Sequence, residues 1–456
     1  MLSPLKDPIY ARLFAAQVIA LLGTGLTTVA LALLAFELAG DEAGQVLGIA
    51  LAIKMIAYVT LSPVAGSFAH LVPRRAMLVG LDVARAGCVA VLPFVSEIWE
   101  IYALIFVMQA CSAGFTPTFQ ATIPDVLTDE EEYTKALSLS RLAYDLEHLL
   151  SPSLAAAALL VVSFHALFAA NAVAFLISAA LVLSVLLPAP KPATEVGGAM
   201  AKLTFGLRAY LATPRLRGLL AFAMAAAAAS AMVIINTVVY VQDTLGLTGR
   251  DTAILLAAFG GGSMAAALSL PTLLQKRSDR SIMMAAAGLM VAGLGAGMLL
   301  PAYGWTMALW FMLGAGYSAI LLPSGRLLRR SSGEGDRPAY FAAHFALSHV
   351  CWLVTYPLAG WLGSAFGLAA AFGALGALAL GATLVALFLW PAHDPDELEH
   401  VHDALEHEHL HVHDAHHQHD HEGWEGPEPH SHPHRHKAVR HRHAFVIDSH
   451  HPHWPV

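Results

Sequence analysis

The chain has 456 residues, 57% of them apolar and only 13% charged, with 33 acids against 25 Lys and Arg and a formal net charge of −8. Soluble domains carry about 25% charged residues, so an ordinary water-soluble globule is excluded, as is a basic nucleic-acid binder. Of the 25 histidines, 20 lie between His393 and His453. The stretch from Pro391 onward carries 13 acids and 4 bases, so the net charge belongs to it and the remaining body is nearly neutral.

The body reads as apolar runs of about 20 residues, the length that crosses a ~30 Å hydrocarbon core. Twelve such runs begin near Arg12, Gln45, Ala76, Trp99, Ala136, Ala166, Leu216, Thr252, Ser281, Thr306, Ala339 and Gly367. The first is too long for a signal-peptide core and is followed at once by more spans, which predicts an anchor that stays uncleaved. The longest gap, PAPKPATEVGGAMAKLTFGLRAYLATPRLRG from Pro188 to Gly218, is rich in Pro, Gly and Lys and marks a linker. The expected organisation is six spans (1–188), a linker (189–215), six spans (216–390) and a His-rich tail (391–456).

Lys and Arg collect in alternate loops: Lys6, Arg74, Arg75, Lys135, Lys191, Lys202, Arg208, Arg215, Arg217, Lys276, Arg277, Arg280, Arg329, Arg330 and Arg337 stand on one side. Arg250 stands almost alone on the other, beside Asp41, Glu42, Glu97 and Glu100. The positive-inside rule then predicts that both termini are cytoplasmic. Cys88, Cys111 and Cys351 fall within spans and in no CxxC pattern, so neither disulfides nor a Cys-based zinc site is expected. No phosphate-cradling Gly-rich loop is present, which argues against direct use of ATP. No nucleophile constellation or cofactor fingerprint suggests an enzyme.

Ionisable residues inside a span cost a few kcal/mol each and are functional candidates by default. The fifth span reads SLSRLAYDLEHLLSP, where Asp145 and His148 stand about 60° apart on one face with Arg141 one turn below. Asp145 with His148 offers an oxygen–nitrogen pair for a divalent ion or a proton; the plainer reading is a structural Arg141–Asp145 pair. Glu147 points to another side. In the eleventh span His344 and His349 stand about 140° apart, poor for chelating one ion together. His344, His349 and Cys351 are candidates for the path, the alternative being core residues bonded to backbone or Ser348. Asp82 and Arg85 in the third span are expected to pair and hold the fold. Lys54, Met108, Cys111 and Asn236 are weaker candidates, Asn236 as a hydrogen-bonding packer beside an Ala-rich run.

In the tail the candidate metal ligands are His400, His402, His407, His409, His411, His413, His416, His417, His419, His421, His430, His432, His434 and His436. Imidazole suits borderline divalent ions such as nickel, zinc and copper(II), whereas copper(I) prefers sulfur, and the tail has neither Cys nor Met. Few bulky apolar residues and no sustained stripe predict a disordered segment without metal. Three readings stay open: a metal-collecting arm, a metal sensor, and an inert solvated tail.

Six plus six spans joined by a linker resembles the major facilitator superfamily, which carries G-x-x-x-D-R-x-G-R-R after its second helix. Here the loop reads GSFAHLVPRR, matching at Gly66, Arg74 and Arg75, with His70 in place of the acid, Leu71 in place of an arginine and Pro73 in place of the inner glycine. A gating ion pair built on that acid is therefore in doubt at His70. Pro152 and Pro357 echo one another in the fifth and eleventh spans, as an internal repeat would place them. Body and tail together resemble the NreB-type nickel-resistance exporters of bacteria. That resemblance implies an all-α protein of the inner membrane with twelve helices, exporting nickel, or alternatively cobalt or zinc, against protons, as a monomer in lipid with no tightly bound cofactor. The competing expectations are an exporter of organic solutes such as siderophores or drugs, and a membrane-anchored metal buffer or sensor.

Overall fold

Lipid offers no water to backbone N–H and C=O groups, so a crossing segment has to satisfy them within a helix. The computed structural model describes residues 2–40, 43–189, 198–394, 397–402, 405–411, 430–436, 439–447 and 454, and up to residue 389 these are helical almost throughout. The helices of the first half are α1 (Pro8–Ala39), α2 (Ala43–Phe68), α3 (Arg74–Val91), α4 (Ile98–Val126), α5 (Glu130–Ala158) and α6 (Phe164–Leu183). Those of the second are α8 (Pro214–Val239), α9 (Gly249–Leu274), α10 (Asp279–Gly297), α11 (Tyr303–Ser331), α12 (Arg337–Phe366) and α13 (Leu368–Leu389). Where the sequence marks only a linker, the chain also forms α7 (Ala199–Ala212), packed against α2 and α12.

Helix starts are set locally. Asp7 accepts hydrogen bonds from the Ile9 and Tyr10 amides ahead of α1, Glu97 and Glu100 form a capping box at α4, and Asp129 caps α5. Each satisfies amides that a helix leaves without partners. Gly367, at φ 83°, supplies the left-handed turn between α12 and α13.

Eleven of these helices are long and apolar enough to cross a membrane. The long helix outside that set is α5, 29 residues, whose first turn is Glu130, Glu131 and Glu132. It nevertheless packs between α1 and α9 as a member of the bundle. The protein is an all-α, multi-pass membrane protein. The contacts Ser3–Glu132, Glu130–Arg326 and Arg330–Asp394 put the start of α1 and the end of α13 on one side, termed the terminal face.

The halves repeat one packing scheme: α1 against α6 as α8 against α13, α3 against α6 as α10 against α13, and α2 against α4 as α9 against α11. They meet along two equivalent seams, α2 with α12 and α5 with α9. Small residues allow the closest approaches. A Cβ at Gly262 would overlap the Phe311 carbonyl, and one at Gly314 would overlap that of Phe259. The fully buried run Ala225–Ala229 makes α8 the hub of the second half. There Asn236 donates to the Ala359 carbonyl at 3.0 Å, the packing role expected of it. In the first half the Asp82–Arg85 pair is buried beneath Ser178, which donates to Asp82 Oδ2 at 2.7 Å. The Arg85 guanidinium lies 4.0 Å from the Phe115 ring centre and 4.5 Å from that of Phe175. This pair holds α3, α4 and α6 together, as anticipated.

Beyond α13 the described backbone forms β1 (Glu397–His402), β2 (Leu405–His411), β3 (His430–His436) and β4 (Val439–Ala444). β1 pairs antiparallel with β4 and β2 with β3. The absence of an apolar stripe from this segment predicts no regular structure here. The strands instead follow the alternation of histidine with other residues, which has the two-residue period of a strand, and the acidic arm aligns with a basic one. His413, His416, His417, His419 and His421 lie outside the described residues.

Replacing Gly314 by Val is expected to lower stability by about 1–3 kcal/mol through overpacking. Gly288→Ala, which places its methyl in open space, is expected to leave stability unchanged. Thermal unfolding of the two variants in detergent measures the difference.

Candidate substrate path and terminal-face latch

A chain of ring and charge contacts crosses the interior at mid-depth. On α2 the Lys54 ammonium lies 5.6 Å from the Tyr58 ring centre, and Tyr58 donates to Gln109 of α4 at 2.8 Å. The Tyr58 ring meets His349 of α12 edge-on at 4.9 Å, and His349 lies 5.9 Å from Trp352. Trp352 faces Tyr317 of α11 at 6.5 Å, and the Arg141 guanidinium of α5 covers Tyr317 at 4.8 Å. Arg141 closes the chain with an ion pair to Asp145 and a 3.1 Å hydrogen bond to Ser263 of α9. This arc draws on both halves and crosses both seams.

Within the arc, the Nδ1–H of His349 donates to the Phe345 carbonyl at 2.6 Å, which in the neutral ring leaves Nε2 as the acceptor. Glu147 lies against α1, where a Cβ on Gly25 would come within 2.7 Å of its carboxylate, and it is within electrostatic reach of Lys54. The backbone of His148 is on α5, and its side chain is outside the description.

The remaining eleventh-span candidates stand elsewhere. His344 is bonded through Nδ1 to the Tyr210 hydroxyl at 3.0 Å, against the linker helix. Burial pushes the Tyr210 phenol well above its usual range, so it stays protonated. Cys351 is buried with Ala227 and Trp352 between α8 and α12. The structure thus brings Arg141, Asp145 and His349 into one arc and keeps His344 and Cys351 out of it. Among the described residues no three His, Cys, Asp or Glu side chains converge on one metal-binding point.

A second cluster joins the halves at the terminal face. Asp125, at the end of α4, pairs at once with Arg74 of α3 and Arg337 of α12. Arg326 of α11 reaches Glu130 at 2.6 Å and Thr134 at 2.7 Å on α5, and Arg329 donates to the Thr128 carbonyl. Gly66 packs directly on α12, where a Cβ would meet the Pro338 carbonyl at 2.9 Å. Asp125 thus gives Arg74 and Arg337 an acidic partner from α4, while His70 sits on a short 3-10 turn. Arg75 follows Arg74 in the first turn of α3. Asp125, Arg326, Tyr58 and Tyr317 escape the sequence reading. The available signal for Asp125 is an acid at the end of a span on an otherwise Arg-rich side.

The tail leaves the body at a fixed point. Asp394 accepts from Trp390 Nε1 at 2.9 Å and pairs with Arg215 at 3.2 Å and Arg330 at 3.4 Å. Of the tail ligands expected from the sequence, His400, His402, His407, His409, His411, His430, His432, His434 and His436 have a described backbone only.

The sequence profile of the Major Facilitator Superfamily matches residues 13–305 and 219–411. The uncharacterized MFS-type transporter YfiS of Bacillus subtilis (strain 168) is 30% identical over 169 residues, 37% of this chain and 40% of that protein. Macrolide efflux protein A of Streptococcus pyogenes is 24% identical over 184 residues, 39% of this chain and 45% of that one. The matches thus span less than half the length of these relatives. Among solved structures, the human organic anion transporter MFSD10 (TETRAN) superposes with a TM-score of 0.71 at 14% identity, covering 83% of this chain and 99% of that one. A bacterial homologue of the iron transporter ferroportin, in its outward-facing state, gives a TM-score of 0.69 at 16% identity, covering 84% and 98%. At such identities the likeness is one of fold, and it agrees with the two repeated six-helix halves. The chain belongs to the Major Facilitator Superfamily of membrane transporters.

Proposed function

We propose that the protein exports a divalent metal ion, nickel foremost with cobalt and zinc as alternatives, from the bacterial cytoplasm in exchange for protons. The observation that carries this reading is a His-rich segment pinned at Asp394 beside the contacts that close the terminal face. The Lys/Arg bias of the terminal-face loops makes that face cytoplasmic, so the imidazoles stand where an exporter loads. Their role is to raise the local metal concentration at the entrance. Selection belongs to the mid-depth arc.

The two seams between the halves support alternating access. Loading from the cytoplasm requires Arg337 to leave Asp125 and α12 to part from Gly66, while each half moves as a packed unit. At mid-depth the Asp145 carboxylate, held by Arg141, is the group for which a metal ion and a proton compete. His349 Nε2 offers a nitrogen ligand from the opposite half.

A second reading rests on the arc itself. Tyr58, Trp352, Tyr317 and Phe345 with two cationic side chains form an aromatic lining suited to an amphipathic organic solute, which would leave the tail incidental to transport.

Flux of nickel, cobalt and zinc into or out of vesicles with an imposed proton gradient, with internal pH recorded, separates the two. The full chain should move metal with proton counterflow, and Asp145→Asn should slow it by at least about tenfold. A chain ending at Asp394 should keep measurable flux and lose metal tolerance in cells. Metal flux with no proton movement would end the antiport mechanism, and no metal flux at all would favour the organic solute. Asp125→Asn is expected to loosen the terminal face, because breaking a buried pair typically costs about 3–5 kcal/mol. A cysteine placed at Ala121, buried against the second half, should then react with thiol reagents roughly tenfold faster or more.

A further inference from the structure

Residues just beyond the last strand pack on the body. Phe445 and Ile447 are buried, at 3% and 5% exposure, while Val446 between them is half-buried. That alternation is the two-residue period of an extended segment with one face against a surface. Both side chains join the buried cluster of the second half that includes Phe205, Tyr210, Leu216 and Tyr340. Tyr340 of α12 donates to the Ile447 carbonyl at 3.3 Å. Trp454 meets Phe445 edge-on at 5.1 Å and lies against the Arg215 guanidinium of α8 at 5.0 Å.

The surface they cover includes the start of α12, where several elements meet. Arg337 pairs there with Asp125 of the first half. A Cβ on Gly66 of α2 would overlap the Ala342 methyl and come within 2.9 Å of the Pro338 carbonyl, and Ser62 of α2 donates to the Ala342 carbonyl at 3.2 Å. A Cβ on Gly206 of α7 would stand 2.6 Å from the Ala339 carbonyl, and Phe205 packs edge-on against the Tyr340 ring at 6.4 Å. Successive residues of a helix are turned by 100°, so Pro338 and Ala342 face α2, Ala339 faces α7, and Tyr340 turns to Phe205 and the C-terminal segment. Helix α7 is itself tied to the first half, since Ser67 of α2 donates to the Leu203 carbonyl at 3.1 Å.

We propose that the groove formed by α7 with the starts of α8 and α12 is a docking site for the chain's own segment Phe445–Ile447, and that docking holds the terminal face closed. Burial of two large apolar side chains drives the docking. The groove is complete only while α12 keeps its place beside α2 and α7, because Phe205 backs the Tyr340 ring whose hydroxyl holds Ile447. Opening the face parts α12 from Gly66 and Ser62, and so shears it against α7, which Ser67 ties to α2. A ligand that fits one arrangement better than another shifts the equilibrium toward it by the difference in affinity. Here the ligand belongs to the chain, so its supply is constant, and release of the segment is what frees the face to open. The device works whatever solute the carrier moves, and so it goes beyond the metal reading without resting on it.

The test measures closure directly in the full-length protein in detergent. Ala121→Cys, at a position buried against the second half, reports opening through its rate of reaction with a thiol reagent, followed at that residue by mass spectrometry. Phe445→Ser together with Ile447→Ser should speed this labelling by about tenfold, within the usual range of coupling between sites. Because the double substitution could disturb folding instead, a synthetic peptide of residues 443–456 is then added to that variant at millimolar concentration. The peptide should restore slow labelling, and the same peptide carrying both serines should not. Labelling unchanged by the double substitution, acceleration that the intact peptide fails to reverse, or equal restoration by the serine peptide would each overturn the proposal. None of these readouts involves solute flux, so absent metal transport in vesicles would remove the export reading and leave this one standing.

Discussion

A charge held in a low-dielectric interior needs an opposite charge beside it, and that requirement organises this protein. Asp82 with Arg85, Asp145 with Arg141, Asp125 with Arg74 and Arg337, Asp279 with Arg326, and Asp394 with Arg215 each place a carboxylate against a guanidinium. The pairs differ in what they span. Asp82–Arg85 stays within one half and fixes helices that need not move. Asp125 bridges the halves, pairing with Arg74 of the first and Arg337 of the second. Arg141 keeps its pair within α5 while reaching Ser263 across the seam.

The repeated packing of the halves explains why the arc lies where it does. The α2–α12 and α5–α9 seams are equivalent by the internal repeat, and residues contributed from both sides can meet only between them. Glycines at Gly66, Gly262 and Gly314 bring backbones close enough for the seams and halves to be tightly packed, a requirement set by geometry and without any chemical role of its own. Among the described residues, the hydrogen bonds and ion pairs that join the halves gather at mid-depth and toward the terminal face. That is the arrangement of a carrier closed on the side of its termini.

The tail shows how a compositional signal gains structure. Acids are concentrated in its first arm and Arg and Lys in its second. Antiparallel pairing sets the two arms against each other, and burial of Phe445 and Ile447 fixes the far end. An apolar pair at the end of a long polar segment is easily passed over in sequence, because its hydrophobic partners, Tyr340 and Leu216 among them, lie far away in the chain.

The sequence by itself determined the class of protein, the long helices, the six-plus-six division and the excess of imidazole after the last span. These follow from local composition and from periodicity, which each segment carries alone. It also identified the Asp82–Arg85 and Arg141–Asp145 pairs, since partners three or four residues apart on a helix are neighbours whatever the fold. Only the tertiary structure decided that His349 joins Tyr58 and Trp352 while His344 turns to the linker helix, that Asp125 pairs with both Arg74 and Arg337, and that Asp394 and Trp454 meet at Arg215. Those contacts join residues distant in sequence, and their distances depend on how helices pack, which no single segment encodes.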